Sequence, residues 1–406
     1  MSAVVDTYRD GVDVSYAVDF GRDRDPVQKR SRFPEYRRKG GPAQVNGIHR
    51  RRSKRWTWGS GRGARMLNMR AFAGSLAFAV ASISAAAFGV TIDYGTVGNP
   101  GNSANTNSWG AVSNTFKISK YETTNQQYKD FLNAVDSAGT NPNGIYNSQM
   151  GADSLGGITF NAGASPGSKY AVKGGTAPSG AAYGTMPVVF TSWWSAARFV
   201  NWIENGQGSG GTETGAYTLA NKTSGPIVAR NAGAKNFLPS RDEWYKSGFY
   251  NGSGYTTWQT NSNTQPTNTI TNLTLANAAN YGFSSTPTTN PIAVGAYGNT
   301  TSAYGMYDML GNVTEFTDTA GTGADAGRPQ IFSGSWAVAL ADINKWNATA
   351  AATFRNSTSA TSQLGFRVAA VPEPATIALA GVGLAGLAGI DWLKRRKKKP
   401  VARIGA

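Results

Sequence analysis

Between positions 88 and 371, apolar residues occur only in short segments separated by polar loops. This pattern restricts the folds that the chain can adopt. Examples are residues 187–190, 331–336 and 366–371, which are separated by loops rich in Gly, Asn, Ser and Thr. Few helical patterns and many short strands indicate an α+β fold in one loop-rich domain. A loop as long as 251–290 is unusual in a compact domain and is commonly functional or held by other groups.

Three segments have the spacing of capped helices. Residues 125–135 place four apolar side chains on one face, and Thr123 or Thr124 precedes them as a candidate N-cap. Residues 192–203 repeat this pattern, with Ser192 in the capping position. Ser240–Glu243 has the form of a capping box in front of Trp and Tyr, which predicts a third helix.

The formal net charge of +16 lies entirely at the two ends of the chain. Residues 1–70 carry 17 Lys+Arg and 7 Asp+Glu, residues 391–406 carry 7 and 1, and residues 71–390 carry 15 of each. A neutral middle has no excess positive charge for phosphates, which excludes nucleic acid as its partner. The chain has no Cys, and its single His49 lies near the amino end, so the middle lacks thiolate and imidazole for catalysis or metal binding.

The amino end predicts a leader and a signal peptide. Residues 1–65 mix charged residues with Gly and Pro, as in disordered arms that bind nucleic acid or anionic lipid. Behind them an arginine precedes an uncharged apolar run that ends in three alanines, which predicts a signal peptide over 66–87. Since a signal peptide acts near the amino terminus, we expect translation to start at Met66 or Met69 and the leader to be a misassigned start.

At the carboxyl end, residues 372–406, an apolar stretch precedes the basic residues, which reverses the order found at the amino end. Pro372-Glu373-Pro374 precedes 16 uncharged residues over 375–390, and a basic cluster follows. The apolar stretch approaches the ~20 residues that cross a bilayer, and the basic cluster would stay inside. This arrangement resembles the PEP-CTERM sorting signal, which implies recognition by an exosortase-type enzyme and insertion into the inner membrane through 375–393. The alternative, an ordinary tail anchor, would place the preceding domain on the same side of the membrane.

The middle of the chain carries six motifs in a fixed order: Tyr121–Tyr128, Met186–Trp193, Phe237–Trp244, Tyr304–Glu315, Ser333–Trp336 and Leu364–Val368. Together they resemble the formylglycine-generating (sulfatase-modifying factor) domain family over residues 116–369. The resemblance implies one domain over 88–371 with an elaborated C-type-lectin-like α+β fold that is poor in regular structure.

The resemblance also shows which chemistry this chain lacks. In the oxidase branch of the family, a cysteine pair behind the Gly-Gly-Ser strand binds copper and oxidises a sulfatase cysteine. Aligned on Gly334-Ser335, those cysteines fall near Val338 and Ile343, whose side chains neither bind a metal nor transfer an electron. The branch that uses non-haem iron needs histidine ligands, which this domain lacks. We therefore expect no catalytic residues and neither redox activity.

A structural calcium site is implied by the resemblance. The family holds Ca²⁺ through two side chains and two backbone carbonyls at the positions matched by Asp308, Gly311, Val313 and Glu315. Calcium accepts such mixed oxygen ligands. The alternative is that the two acidic side chains only cap and pair on a turn. Asn280 matches a ligand of a second site, which we expect to be lost because residues 281–302 contain no Asp or Glu.

Three further groups have both a structural and a functional explanation. Asp242 and Glu243 resemble a glycosidase carboxylate pair, but their place behind a proline favours helix capping. The tryptophans of segment 192–203 could stack on sugar rings, but their helical spacing favours the core. Arg367 could bind anions, and we expect it instead to pair with a buried acid.

These observations predict an exported surface or matrix protein in which a sulfatase-modifying-factor-type domain binds a ligand, extracellular polysaccharide by fold-level analogy, without catalysis. The rival prediction is a divergent enzyme of the same superfamily. It requires a cleft near residues 336–345 lined by Asp, Glu, Tyr or Asn side chains with perturbed pKa values. A neighbourhood made only of aliphatic side chains would contradict that rival.

Overall fold

A computed structural model of the chain describes residues 3–9, 12–18, 89–282 and 290–372. The chain divides into two compact units, residues 1–80 and 81–406. None of the helices in the described residues combines the length and the apolar character that a membrane span requires. The predicted signal peptide (66–87) and membrane segment (375–393) lie outside the described residues.

The described residues of the first unit form a pair of antiparallel strands, β1 (Ala3–Arg9) and β2 (Val12–Val18). These two strands are regular structure within the predicted disordered leader, whose residues 19–65 lie outside the described residues. Valine and tyrosine, which favour strands, recur through both segments, and the intervening Asp-Gly dipeptide is the strongest short hairpin signal. The basic character of the leader as a whole hides this short local pattern.

The second unit contains twelve short strands within the described residues. They are β3 (Tyr94–Val97), β4 (Phe116–Ser119), β5 (Ile158–Phe160), β6 (Tyr170–Val172), β7 (Asn236–Phe237), β8 (Thr267–Asn268), β9 (Ala278–Ala279), β10 (Thr314–Ala320), β11 (Pro329–Phe332), β12 (Thr353–Phe354), β13 (Leu364–Gly365) and β14 (Ala369–Ala370). Two four-stranded sheets have the orders β12-β11-β10-β13 and β3-β4-β14-β7, and β5-β6 and β8-β9 form separate pairs. Strand β10 runs antiparallel to β11 and parallel to β13.

Four α-helices lie in the described residues: α1 (Asn125–Val135), α2 (Gln149–Ala152), α3 (Trp193–Glu204) and α4 (Arg241–Phe249). The three predicted helices are confirmed together with their caps. Thr124 and Ser240 each complete a capping box, and Ser192 Oγ accepts from the Ser195 amide. The short α2 has no comparable sequence signal and was not predicted. The loop-rich α+β class is therefore confirmed.

The main core lies between the helices and the two four-stranded sheets. Its largest side chains are four fully buried tryptophans, Trp193, Trp194, Trp202 and Trp244. The core role predicted for the tryptophans of α3 is confirmed, because none of them has a surface on which a sugar could stack. Residues 251–282, the described part of the long segment, contain β8 and β9 and contribute Ala278 to a small separate cluster with Ile292 and Tyr297.

Candidate functional site

The turn that carries the predicted calcium residues, which we call the acidic turn (residues 308–315), is fixed by its backbone. Asp308, Gly311 and Asn312 all adopt positive φ angles, between 54° and 82°. The Asn312 amide donates to Asn280 O over 2.8 Å, and a Cβ added to Gly311 would lie 2.1 Å from that same oxygen. Only glycine fits at position 311, because both the φ angle and the close approach exclude a side chain.

Asn312 and Glu122 lock the turn from inside the protein. The Asn312 Nδ2 group donates to Glu122 Oε2 over 2.9 Å, while its Oδ1 accepts from the Ile292 amide over 2.9 Å. The Val313 amide donates to Glu122 Oε1 over 3.2 Å. Glu122 and Asn312 are both buried, so the turn is built around a carboxylate that lies 190 positions earlier in the chain.

Glu315 at the start of β10 pairs with Arg367 on the neighbouring segment. The guanidinium donates from Nε and Nη2 to the two carboxylate oxygens over 2.6 Å each, and both side chains are 0% exposed. Trp244 Nε1 of α4 donates to Glu315 Oε2 over 2.7 Å. The predicted pairing of Arg367 with a buried acid is confirmed, and that acid is one of the predicted calcium residues.

Three buried carboxylates, Glu122, Asp308 and Glu315, surround the single guanidinium of Arg367, so negative charge is in excess. Burial, with the charges of Asp308 and Glu315, holds the pKa of Glu122 well above its ordinary value. Burial likewise raises the pKa of Asp308 to about 6, and the charge of Glu315 adds to the rise. The hydrogen bond from the Gly295 amide and the charge of Arg367 lower this pKa but do not offset the rise. In the absence of a cation, this neighbourhood therefore favours protonated carboxyl groups.

The four predicted calcium residues follow one another along the acidic turn into β10, and the carboxylate of Glu315 is hydrogen-bonded to Arg367 and Trp244. Ser333 Oγ donates to Gly311 O over 2.9 Å and lies 3.4 Å from Asp308 O, which fixes these two carbonyls near each other. Asn280 Oδ1 is buried beside the turn without a hydrogen-bond partner. An excess of carboxylate, nearby carbonyls and an unsatisfied amide oxygen fit a hard cation. Within 89–282 and 290–372, no three His, Cys, Asp or Glu side chains group as metal ligands, so carbonyls would have to complete the site.

The positions aligned with the family's cysteines are apolar. Ile343 is 1% exposed and packs in a cluster with Trp258, Tyr281 and Leu310, and Val338 packs against that cluster. Tyr281 Oη hydrogen-bonds to Pro266 O, and burial raises its pKa. The acid of segment 336–345, Asp342, is half exposed and pairs with Lys345 over 2.9 Å. This neighbourhood offers core packing in place of a cleft with clustered acid and base groups.

The carboxylates that resembled a glycosidase pair have structural partners. Glu243 Oε2 accepts from the Ser240 amide over 2.7 Å and from Arg230 over 2.7 Å. Asp242 Oδ1 accepts from the Gly110 amide over 2.9 Å and pairs with Arg241. Helix capping, the structural explanation predicted for this pair, is confirmed for Glu243.

Sequence reasoning missed two features of the domain. Glu122 lies inside the motif Tyr121–Tyr128, but nothing local shows that it reaches the acidic turn. The second feature is an open cleft of about 370 Å³. We call it the polar cleft; its polar lining consists of Asn143, Asn147, Ser192, Ser195, Thr223 and Thr358. Its residues come from four segments that are distant in sequence, so no motif could have identified it.

Comparison with known proteins agrees with the motifs. The model of the Sulfatase-modifying factor enzyme 1-like domain matches residues 88–371, and the model of the PEP-CTERM protein-sorting motif matches residues 370–396. No curated protein matches the chain.

Solved structures similar to the chain include CarF, with 19% identity and a TM-score of 0.44 over 70% of this chain and 99% of CarF. Treponema denticola variable protein 1 has 18% identity and a TM-score of 0.42, with coverages of 69% and 95%. PvdO from Pseudomonas aeruginosa has 16% identity and a TM-score of 0.37, with coverages of 69% and 92%. Because the domain model spans residues 88–371, the chain belongs to the Sulfatase-modifying factor enzyme 1-like family, and it carries a PEP-CTERM protein-sorting motif at residues 370–396.

Proposed function

We propose that the chain is an exported surface or matrix protein whose domain binds extracellular polysaccharide and catalyses no reaction. The observation that carries this proposal is the apolar packing of Ile343 and Val338, where the oxidase branch would hold its cysteines. Thiol oxidation needs a thiolate, and a side chain packed among Trp258 and Leu310 supplies only contact area.

The rival proposal, a divergent enzyme of the superfamily, is less favoured. It required clustered polar side chains near residues 336–345, and there Ile343 is buried among apolar groups while Asp342 pairs with Lys345 at the surface. Around the acidic turn, the buried acids with raised pKa values are Glu122 and Asp308, and both are already engaged: Asn312 donates to Glu122, and the Gly295 amide donates to Asp308. A perturbed carboxylate with such partners is explained by structure alone.

We propose calcium as the structural cofactor, held by the side chains of Asp308 and Glu315 and the carbonyls of Gly311 and Val313. Support comes from the excess of carboxylate around Arg367 and from the partnerless Asn280 Oδ1. A bound Ca²⁺ would supply positive charge to a buried acidic neighbourhood and link the turn to its surroundings. The elaborated C-type-lectin-like description of the fold stays a prediction.

The partners that we propose follow from the two ends of the chain. The sorting motif at 370–396 supports an exosortase-type enzyme as one partner and membrane anchoring through 375–393 before release to the envelope or exterior. The neutral charge balance of residues 71–390 supports the absence of nucleic acid as a partner.

The proposed function is tested by calorimetric titration of the purified full chain, in a detergent without a sugar headgroup, with exopolysaccharide isolated from the producing bacterium. We expect saturable binding that weakens when calcium is chelated. Heating the polysaccharide before the titration should leave binding unchanged. Denaturing the protein before the titration should abolish binding. If no heat of binding is measured, either with calcium or with the chelator, a polysaccharide-binding role is contradicted.

A further inference from the structure

We propose that the polar cleft is the glycan-binding site of this domain and that it selects uncharged glycans over acidic ones. This inference rests on the proposed function and adds the site and the class of ligand to it. The cleft lies apart from the acidic turn: no residue of 308–315 lines it.

The lining of the cleft has the chemistry of a neutral sugar site. Six of its side chains are amides or hydroxyls, Phe190 adds apolar surface, and no charged residue lines it. Sugar hydroxyls both donate and accept hydrogen bonds, and amide and hydroxyl groups can do the same. A uronate or sulfate would enter this cleft without a cation to neutralise it, and burying an unpaired charge is unfavourable.

An ion pair lies against one wall of the cleft. Arg198 of α3 donates from Nε and Nη2 to Glu213 over 2.7 and 3.0 Å, and its own side chain is 0% exposed. Glu213 also accepts from the Nδ2 group of Asn143 over 3.0 Å, which ties the cleft wall to this ion pair. The ion pair therefore positions the wall without adding net charge to it.

The hydrogen bonds inside the protein leave complementary groups on the two asparagines. Asn143 uses Nδ2 towards Glu213, so its Oδ1 is left as an acceptor. Asn147 uses Oδ1 to accept from the Gln149 amide over 2.9 Å, so its Nδ2 is left as a donor. An acceptor and a donor on one wall match the adjacent hydroxyl groups of a pyranose ring.

The opposite wall is rigid. Phe190 has a φ angle of 60°, which is strained for a bulky residue, and its amide is held by Thr361 O over 2.9 Å. Strain of this kind is concentrated at binding sites, where the surrounding structure enforces it. Ser192 Oγ caps α3, and Ser195 Oγ contacts Gly144 O over 3.4 Å. The volume of about 370 Å³ falls within the range of small-molecule sites, about 300–1,000 Å³.

The test uses two exposed rim residues, Thr223 and Thr358, in the full chain. Each is replaced by tryptophan to fill the cleft, and Thr322→Trp serves as the matched control because Thr322 is exposed and does not line the cleft. Thermal unfolding first shows that all three variants remain folded. The probes are the bacterium's exopolysaccharide, dextran as a neutral glycan and alginate as an acidic one.

We expect Thr223→Trp and Thr358→Trp each to weaken exopolysaccharide binding at least tenfold, with the control within twofold of wild type, and dextran to bind more tightly than alginate. Wild-type binding that neither cleft variant weakens would overturn the site while leaving the proposed function intact. A wild-type preference for alginate would overturn the ligand class. No wild-type binding to any probe would refute the proposed function itself.

A gain-of-function variant gives an independent readout. Thr223→Lys places a cation at the rim, so we expect alginate affinity to rise severalfold, whereas Thr322→Lys should leave it unchanged. An equal effect from both lysine variants would mean that alginate responds to overall charge, which would contradict a site in the cleft.

Discussion

Single residues decide the electrostatics of the acidic turn, and Arg367 matters most among them. Its buried guanidinium interacts electrostatically with three buried carboxylates, those of Glu122, Asp308 and Glu315. Burial alone would lower the pKa of Arg367, but the charge and hydrogen bonds of Glu315, with the charges of Glu122 and Asp308, together raise it above its ordinary value. The guanidinium therefore stays charged and the carboxylates depend on it.

Arg367→Met should destabilise the protein by about 3–5 kcal/mol, because it leaves buried carboxylates without their counter-charge. The free energy of unfolding in denaturant measures the loss. Arg241→Met is the control: that arginine is 31% exposed and pairs with its neighbour Asp242, so its loss should cost less than about 1 kcal/mol. Equal losses in the two variants would contradict the role assigned to Arg367.

Gly311→Ala should destabilise the protein more than Gly305→Ala does. Both glycines have φ near 80°, so each alanine pays a backbone cost of roughly 1–3 kcal/mol. Only at Gly311 would the new Cβ also meet Asn280 O, at 2.1 Å, whereas the space around Gly305 is open. Denaturant unfolding of both variants isolates the steric part, and an indistinguishable pair of losses would refute the close approach.

At the level of elements, the ion pair between Arg198 and Glu213 joins α3 to the loop that follows it in the chain. Burial raises the pKa of Glu213, but the hydrogen bonds from Arg198, the Asn221 amide and Thr212, together with the charge of Arg198, outweigh burial and hold the pKa below its ordinary value. The pair stabilises the folded state above the unfolded-state pKa of Glu, about 4.3, and the contribution is lost as the pH falls through the lower folded-state pKa.

Glu213→Gln should therefore lower the free energy of unfolding by roughly 1–3 kcal/mol at pH 7, where it leaves Arg198 without its carboxylate. The difference from wild type should shrink steadily as the pH falls from about 5 to 3. Urea unfolding across this range measures it. Asp325→Asn, at a pair that is 40% and 43% exposed, should change little at any pH. If the difference instead grows towards low pH, the pKa of Glu213 is not lowered in the folded protein.

At the level of the whole molecule, calcium should couple the acidic turn to the stability of the domain. With calcium at a hundredfold excess over its Kd, the expected gain is about 2.7 kcal/mol, or roughly 5–10 °C in Tm. A chelator should remove this gain in wild type. The Asp308→Asn variant should not respond, while Asp325→Asn should respond as wild type does. A wild-type Tm that is insensitive to calcium would refute the proposed cofactor.

Local sequence patterns could predict the helices, because each depends on contacts within a few residues. The apolar spacing of 125–135, the cap at Ser192 and the box Ser240–Glu243 all appear in the structure as predicted. The order of the six motifs gave the family, and residue types alone excluded thiol and imidazole chemistry. Sequence also predicted the burial of the α3 tryptophans and the acid partner of Arg367.

Sequence by itself thus determined the three capped helices α1, α3 and α4, the loop-rich class, the sorting signal and the absence of thiol and imidazole side chains from the domain. Only the tertiary structure decided that Glu122 meets Asn312, 190 positions away, and that Asn143, Phe190 and Thr358 line one cleft. The physical reason is that helix caps and periodic faces are set by neighbours along the chain. Partners across a loop-rich fold are set by packing and by the pairing of buried polar groups, which local patterns do not encode.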